Sequence, residues 1–575
     1  MAQAVESVTS ALEQLNERVR ELERRVAALE DHPDAAIQRQ PEIEVAPLQR
    51  PKPPATWRGF PPAEVSGGVV PTLGKAVLGI AGAYLLRAIA ESGTIPKLPV
   101  LLVAIVYAAF WMVWAARTHT TSRFGGVTYA TTSALILSPL LWESTVRFQV
   151  LSPTPAAVVL VAYVLLTLGL SWQRDLQLIP WVATLAAVIT ALALIIETHE
   201  LVPLTASLLA VALATEIAAC LGHRLSLRAF PALAADFAVW LLVYVLGSPE
   251  TVPEGYHAVA SAAITALCLA LLAIYGGSIG VRSFALRERM TFFEIGQAVV
   301  AFGLATWGSL RATQASAAPA LGILFLLLAA VCYWGALSRF KEEEFTRNRR
   351  VSATWAAALL LSGSFLIMGS KFQAPFLCMS AIAAAFVYTR TAKFSLGLHA
   401  SFYLAAATAV SSLPAYVRGA LAGDVPGAPD WGVWVVAISA VLCYGIGAPG
   451  SRDQGKRRLL WVFPSGIVGV AAAAVVVAGF VRVAAGRVEF AASQLSVVRT
   501  MVNCGLAIGL GFAGSRWQRA ELGWVAYAAV AFGTLKLLFE DLRFGNAASL
   551  VVSLLFYGLV LILLPRLMRR GPTQS

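Results

Sequence analysis

Apolar runs of membrane-crossing length recur along almost the whole chain, and this limits the folds open to it more than any motif does. A hydrocarbon core about 30 Å thick asks for roughly 20 apolar residues per helix. Such runs fall near 71–90, 98–116, 125–142, 155–172, 177–196, 201–222, 229–247, 258–277 and 291–311. They continue near 318–338, 352–370, 373–389, 395–415, 431–448, 459–481, 493–513, 522–541 and 546–565. Inside a bilayer every backbone N–H and C=O must be bonded within the protein, and runs of this length satisfy that as helices. The sequence predicts an all-α polytopic transmembrane bundle of about 18 spans over residues 71–566. Charged residues make up only 13% of the 575 positions, against roughly 25% in soluble domains.

Loop charge orients these spans. With the N-terminus in the cytoplasm, internal loops hold such sets as Arg117/Arg123, Arg282/Arg287/Arg289, Arg339/Lys341/Arg347/Arg349/Arg350 and Arg452/Lys456/Arg457/Arg458. Roughly 24 basic residues fall inside and about 8 outside, as the positive-inside rule requires. Outer loops carry Glu197/Glu200, Glu250/Glu254 and Asp424/Asp430. An even number of spans then leaves both termini cytoplasmic, with 567–575 as an internal tail. The formal net charge of +12 is spread over many short loops that meet anionic lipid. It forms no basic stripe with interleaved aromatics, so nucleic acid is not an expected partner. Membrane lipids are.

The chain opens on a polar helix in place of a signal peptide's charged and apolar regions, so the first apolar helix directs insertion. Val5, Val8, Leu12, Leu15, Val19, Leu22, Val26 and Leu29 alternate spacings of three and four through residues 1–30, the pattern of a coiled coil. In a parallel pairing Arg18 and Arg25 face Glu23 and Glu30, which favours a homo-oligomer, dimer or trimer, over an amphipathic helix lying on lipid. Pro33 ends the heptads, and the prolines that follow over 31–70 make an extended linker.

Six cysteines, Cys220, Cys268, Cys332, Cys378, Cys443 and Cys504, sit in apolar runs without CxxC or metal-ligand spacing, so neither a disulfide framework nor a metal centre is expected. No cofactor is implied. Gly509, Gly511 and Gly514 match GxGxxG but lie at the end of an apolar helix with no strand before them. Gly505 and Gly509 are better read as a close helix crossing. Gly68 to Lys75 lacks phosphate-loop spacing, and Ala76 stands where Ser or Thr is needed. HExxH is absent. No catalytic constellation appears, and the short outer loops leave no extracytoplasmic domain to hold one.

Ionisable groups inside the spans are the informative exceptions, since each is costly in hydrocarbon and marks a candidate site. Arg87, Arg499 and Lys536 lie at one depth near the outer ends of three spans, with Glu91, Glu540 and Asp541 close to the same level. Lys536 and Glu540, four apart, share a helix face, and Lys536 sits about 8 Å below the outer surface by helix rise. These residues define a candidate outward-facing polar pocket for an anionic headgroup or coupling ion: Arg87, Arg499, Lys536, Glu540 and Asp541. Structural pairing, with the cations snorkelling outward, is the alternative. Glu216, Asp236 and Glu294 lie toward the cytoplasmic side; Glu216 and Asp236 form a candidate proton- or cation-handling pair, or simply hydrogen-bond across helices. His399 and Asn503 add polar groups on two further helices.

The heptads, the proline-rich linker, the first span Gly79-Ile-Ala-Gly-Ala-Tyr-Leu-Leu-Arg87 and the last two spans together resemble a family. In the last two, Lys536-Leu-Leu-Phe-Glu-Asp541-Leu542 is followed by Ser553-Leu-Leu-Phe-Tyr-Gly558. The resemblance is to the bacterial multi-spanning membrane proteins of the domain-of-unknown-function 2339 type. Leu550 stands where that family often has arginine, and Leu554 where it has phenylalanine. The resemblance implies an inner-membrane location and no defined activity. The functional expectation is transport or translocation of a small or lipid-linked anionic envelope component; the alternative is a membrane scaffold oligomerising through Val5–Leu29.

Overall fold

A backbone that must bond itself in hydrocarbon becomes helix wherever the apolar runs lie. The computed structural model describes residues 69–569 apart from 93–94, 120–121, 173–177, 223–227, 249–251, 341, 449–457, 486–491 and 542–546, together with Glu17 and Arg20. The chain divides into a unit Met1–Pro71 and a unit Thr72–Ser575. Most of the first lies outside the described residues, and with it the heptads (except at Glu17 and Arg20, both helical) and nearly all of the proline tract.

Among the described residues there are nineteen α-helices and no strand. In order they are α1 Val70–Ser92, α2 Lys97–Thr118, α3 Arg123–Trp142, α4 Pro153–Trp172, α5 Leu178–Thr198, α6 Leu201–Cys220 and α7 Ala229–Leu246. Then come α8 Ser261–Gly280, α9 Phe292–Ala312, α10 Ala318–Trp334, α11 Thr346–Ile367, α12 Ser370–Thr391 and α13 Phe394–Val410. The last are α14 Leu413–Ala422, α15 Trp431–Gly447, α16 Val462–Ala485, α17 Ala492–Arg516, α18 Ala520–Lys536 and α19 Ala547–Arg569. Each apolar segment read from the sequence coincides with a helix or a helix pair.

Fifteen helices of the described residues are long and apolar enough to cross a membrane, fewer than the eighteen expected, for three local reasons. Glu294, Gln297 and Arg311 dilute the hydropathy of α9. Helix α15 has only 17 residues. The segment near 395–415 is broken: α13 and α14 meet at 70°. Ser411 leaves helical backbone there, with ψ 171°, and Pro414 opens α14, where its missing N–H costs nothing. The corner is pinned by Ser412, whose Oγ donates to Asp430 Oδ1 at 2.5 Å. Asp430 in turn caps α15 by accepting from Val433 N at 3.0 Å.

With lipid tails as apolar as leucine, small residues set how closely the helices approach. A large alanine-rich core joins α2 to α9, a second joins α12 to α16, and a smaller one holds α17, α18 and α19 together. Helices α10 and α11 cross at Gly322 and Gly363, where a Cβ on either would come within 2.9 Å of the other's carbonyl oxygen. Gly505 and Gly509, expected at such a crossing, have nothing within 4 Å of an added Cβ; Gly511 is the close contact instead, against Leu564.

Candidate functional site

The break between α13 and α14 places a helix C-terminus, Gly419 to Gly423, against α17. The last carbonyls of a helix lack intrahelical donors and carry partial negative charge. Arg499, from α17, supplies the donors. Its Nε donates to Ala420 O at 2.9 Å, and Nη2 to Gly419 O at 3.2 Å and to Gly423 O. Gly419 is required here because a Cβ would lie 2.9 Å from Asp424 O, where the chain folds back.

The remaining edge of the guanidinium faces Glu540, which sits in a π-helical turn, Leu537–Asp541, that continues α18. Arg499 Nη1 donates to Glu540 Oε1 at 2.9 Å. The other oxygen of Glu540 lies 3.6 Å from Lys536 Nζ, an i,i+4 pair on one helix face. Lys536 turns inward and donates to Ser496 O and Oγ at 3.0 Å and to Thr500 Oγ1 at 2.9 Å. Both cations are buried, so neither snorkels. Arg499, Lys536 and Glu540 form one network that ties α14, α17 and the end of α18 together. The side chain of Asp541 lies outside the described residues.

Arg87 does not join them. Its Nη1 lies 2.7 Å from Glu143 and its Nε 3.3 Å from Glu91, which Arg147 also approaches at 3.3 Å. This second cluster closes one end of α1 and α3, with Glu143 on the π-helical turn Glu143–Arg147 after α3. Of the pocket read from shared depth, the four residues with described side chains fall in two separate ion clusters, Arg87 in one and Arg499, Lys536 and Glu540 in the other. Equal depth in different helices says nothing about adjacency.

The buried acids Glu216, Asp236 and Glu294 follow the second of the two readings open to them, bonding across helices. Glu216 and Asp236 each have their own partners. Glu216 accepts from Ser278 Oγ at 2.5 Å and lies 3.8 Å from Arg228. Asp236 accepts twice from Gln297 Nε2, at 2.8 and 2.9 Å. Glu294 takes Arg228 at 3.1 Å and Arg282, while its Oε2 completes a capping box with Thr291 at the start of α9. Cross-helix bonding is what the geometry supports, and Arg228, Arg282 and Gln297 are the residues that reading the acids alone misses.

His399 and Asn503 are likewise engaged. Tyr333 Oη lies 2.9 Å from His399 Nδ1 and 2.5 Å from Tyr403 Oη. Asn503 Nδ2 donates to Ala529 O at 2.9 Å, joining α17 to α18. Among the described residues no cluster of three or more His, Cys, Asp or Glu side chains is arranged to hold a metal.

No family model matches the chain, and neither a curated protein nor a solved structure does.

Proposed function

We propose that this is a bacterial inner-membrane protein of about eighteen spans, both termini cytoplasmic, that moves a small or lipid-linked anionic envelope component. The resemblance to the domain-of-unknown-function 2339 type supports the location, and the loop charges support the orientation. One observation carries the transport reading: the broken span α13–α14, whose second helix ends on carbonyls bonded by Arg499 within a charged network. Discontinuous helices, with half-helix ends facing the site, recur where transporters bind substrate or coupling ions. A guanidinium that can leave Glu540 has the planar fork that suits a carboxylate or phosphate.

The test compares cells that lack the chain with cells carrying wild type or Arg499→Lys at matched membrane levels. Mass spectrometry of envelope lipids and small anions should show a precursor accumulating in the absence of the chain. Wild type clears it and Arg499→Lys does not. Identical profiles in all three reject the reading.

A scaffold role is favoured by a different observation: Arg499, Lys536 and Arg87 all have acceptors within the protein, so none needs a ligand. On that reading residues 1–30 carry the function as a parallel coiled coil. Deleting them removes it, and an unrelated parallel coil restores it.

A further inference from the structure

We infer that the space enclosed by α8, α9, α10 and α11 is a binding site for an anionic phospholipid, one acyl chain between the helices and the headgroup at the arginine-rich end. The site is separate from the broken span and stands whether or not that span transports anything.

The space has a volume of about 510 Å³, inside the 300–1,000 Å³ typical of ligand pockets. One wall is the face of α8 bearing Gly276, Gly277 and Gly280, where an added Cβ would meet nothing within 4 Å. The others carry Phe302, Leu328 and Trp355, and the rings of Phe302 and Trp355 meet edge-on at 5.6 Å. A space of this size left empty would forfeit dispersion contacts along its whole lining. In a bilayer the apolar molecule at hand to fill it is a lipid chain.

One end of the space is built from charge. Beyond Ser283, Glu294 and Ser352 in its lining, the loops after α8 and α10 are sewn together. Arg287 meets Glu342 at 2.7 Å and Arg289 meets Glu344 at 3.0 Å. Asn348 bonds Glu288 O at 2.7 Å and Met290 N at 2.9 Å. These pairs, with Arg282 on Glu288 and Glu294, consume the described acids of the rim. Arg347 is left over. It has no carboxylate partner among the described residues, its Nε has no acceptor, and its guanidinium lies over the Phe292 ring at 5.7 Å. Arg347 is one helical turn before Val351, which lines the space, and Phe292 is three residues before Ile295, which also lines it. An arginine without a carboxylate thus stands at the mouth of an apolar slot whose described rim acids are all paired, and Arg339, which donates to Phe284 O and enters no ion pair among the described residues, adds to the positive charge of that rim. That complements a phosphodiester on an acyl-chain ligand; a zwitterionic lipid offers it no net charge.

The full-length protein, purified in mild detergent, is titrated with phosphatidylglycerol or phosphatidylcholine of identical chains and read by native mass spectrometry. Wild type should retain phosphatidylglycerol in preference. Gly276→Leu fills the slot from the open face of α8, and retention should fall about tenfold. Arg347→Gln leaves the slot intact, and the preference for phosphatidylglycerol should fall about fivefold, the contribution of one basic residue near an anionic surface. Glycerol 1-phosphate, the headgroup without a chain, should not compete. Equal retention of the two lipids by wild type overturns the proposal, as does unchanged preference in Arg347→Gln. Competition by glycerol 1-phosphate would replace it with a soluble-anion site. Should Gly276→Leu fail to insert, the Arg347→Gln comparison decides alone.

Discussion

Arg499 and Glu540 meet at 2.9 Å across two helices, and the same arginine caps the C-terminus of a third. The pair is therefore a hub. Removing the cation strands a half-buried carboxylate and several helix-end carbonyls together. Breaking a buried pair from one side costs about 3–5 kcal/mol, so Arg499→Ala should lower the melting temperature sharply in detergent. Arg499→Lys should recover only part of the loss, because an ammonium cannot span Glu540 and the carbonyls of Gly419, Ala420 and Gly423 in a fixed fork. Full recovery by lysine would show that charge alone matters.

Lys536 predicts a different balance. Its ammonium is satisfied mainly by Ser496 and Thr500, with Glu540 more distant at 3.6 Å. Replacement by Met keeps the stem and removes the charge, and Glu540 retains Arg499. Lys536→Met should therefore cost less than Arg499→Ala, by about 2 kcal/mol or more, the margin between leaving polar hydroxyls and leaving a charge unpaired. Thermal denaturation of both variants side by side measures it. A greater loss for Lys536→Met would make the lysine the centre of the network.

Around Arg87 the expected effects are smaller and ordered. Glu143 lies at 2.7 Å and is mostly buried, whereas Glu91 is 3.3 Å away and 42% exposed. Exposed pairs contribute about 0–1 kcal/mol. Glu91→Gln should be close to neutral, and Glu143→Gln should be measurably destabilising in the same denaturation assay. The reverse order would place the anchoring acid on α1 and not on the turn after α3.

The helices are legible because apolar length is written directly in the sequence, and α1 to α19 follow it. The break at Ser411–Ser412 is not, although Pro414 marks it: a run of apolar residues looks the same straight or bent. Lys536 and Glu540 are found by spacing on one helix. Arg499 is found by depth, but its main acceptors are carbonyls of Gly419, Ala420 and Gly423, and backbone oxygens have no residue code. Depth also misleads, drawing Arg87 into a pocket it does not share. Arg228 and Arg282 count as orienting loop charges, and nothing in a charge tally distinguishes them from residues that reach back to Glu294. Gln297 is invisible for the opposite reason: a neutral amide in an apolar helix draws no notice until its carboxylate partner is known.

That partner gives the most discriminating experiment. Gln297 Nε2 donates to both oxygens of Asp236 at 2.8 and 2.9 Å, joining α9 to α7 inside the protein. Gln297→Glu sets two carboxylates face to face in a buried site, where like charges and lost hydrogen bonds act in the same direction. That variant should lose about 3–5 kcal/mol or accumulate poorly in the membrane. Asp236→Asn alone should be milder, since an amide oxygen still accepts from Gln297. Combining the two exchanges the roles: the amide introduced on α7 now donates to the carboxylate introduced on α9, so the double variant should be more stable than Gln297→Glu alone. Residues in direct contact show such coupling at about 0.5–3 kcal/mol, whereas distant sites add. A four-corner cycle of melting curves measures it, and simple additivity would mean that Asp236 and Gln297 do not meet in the folded protein.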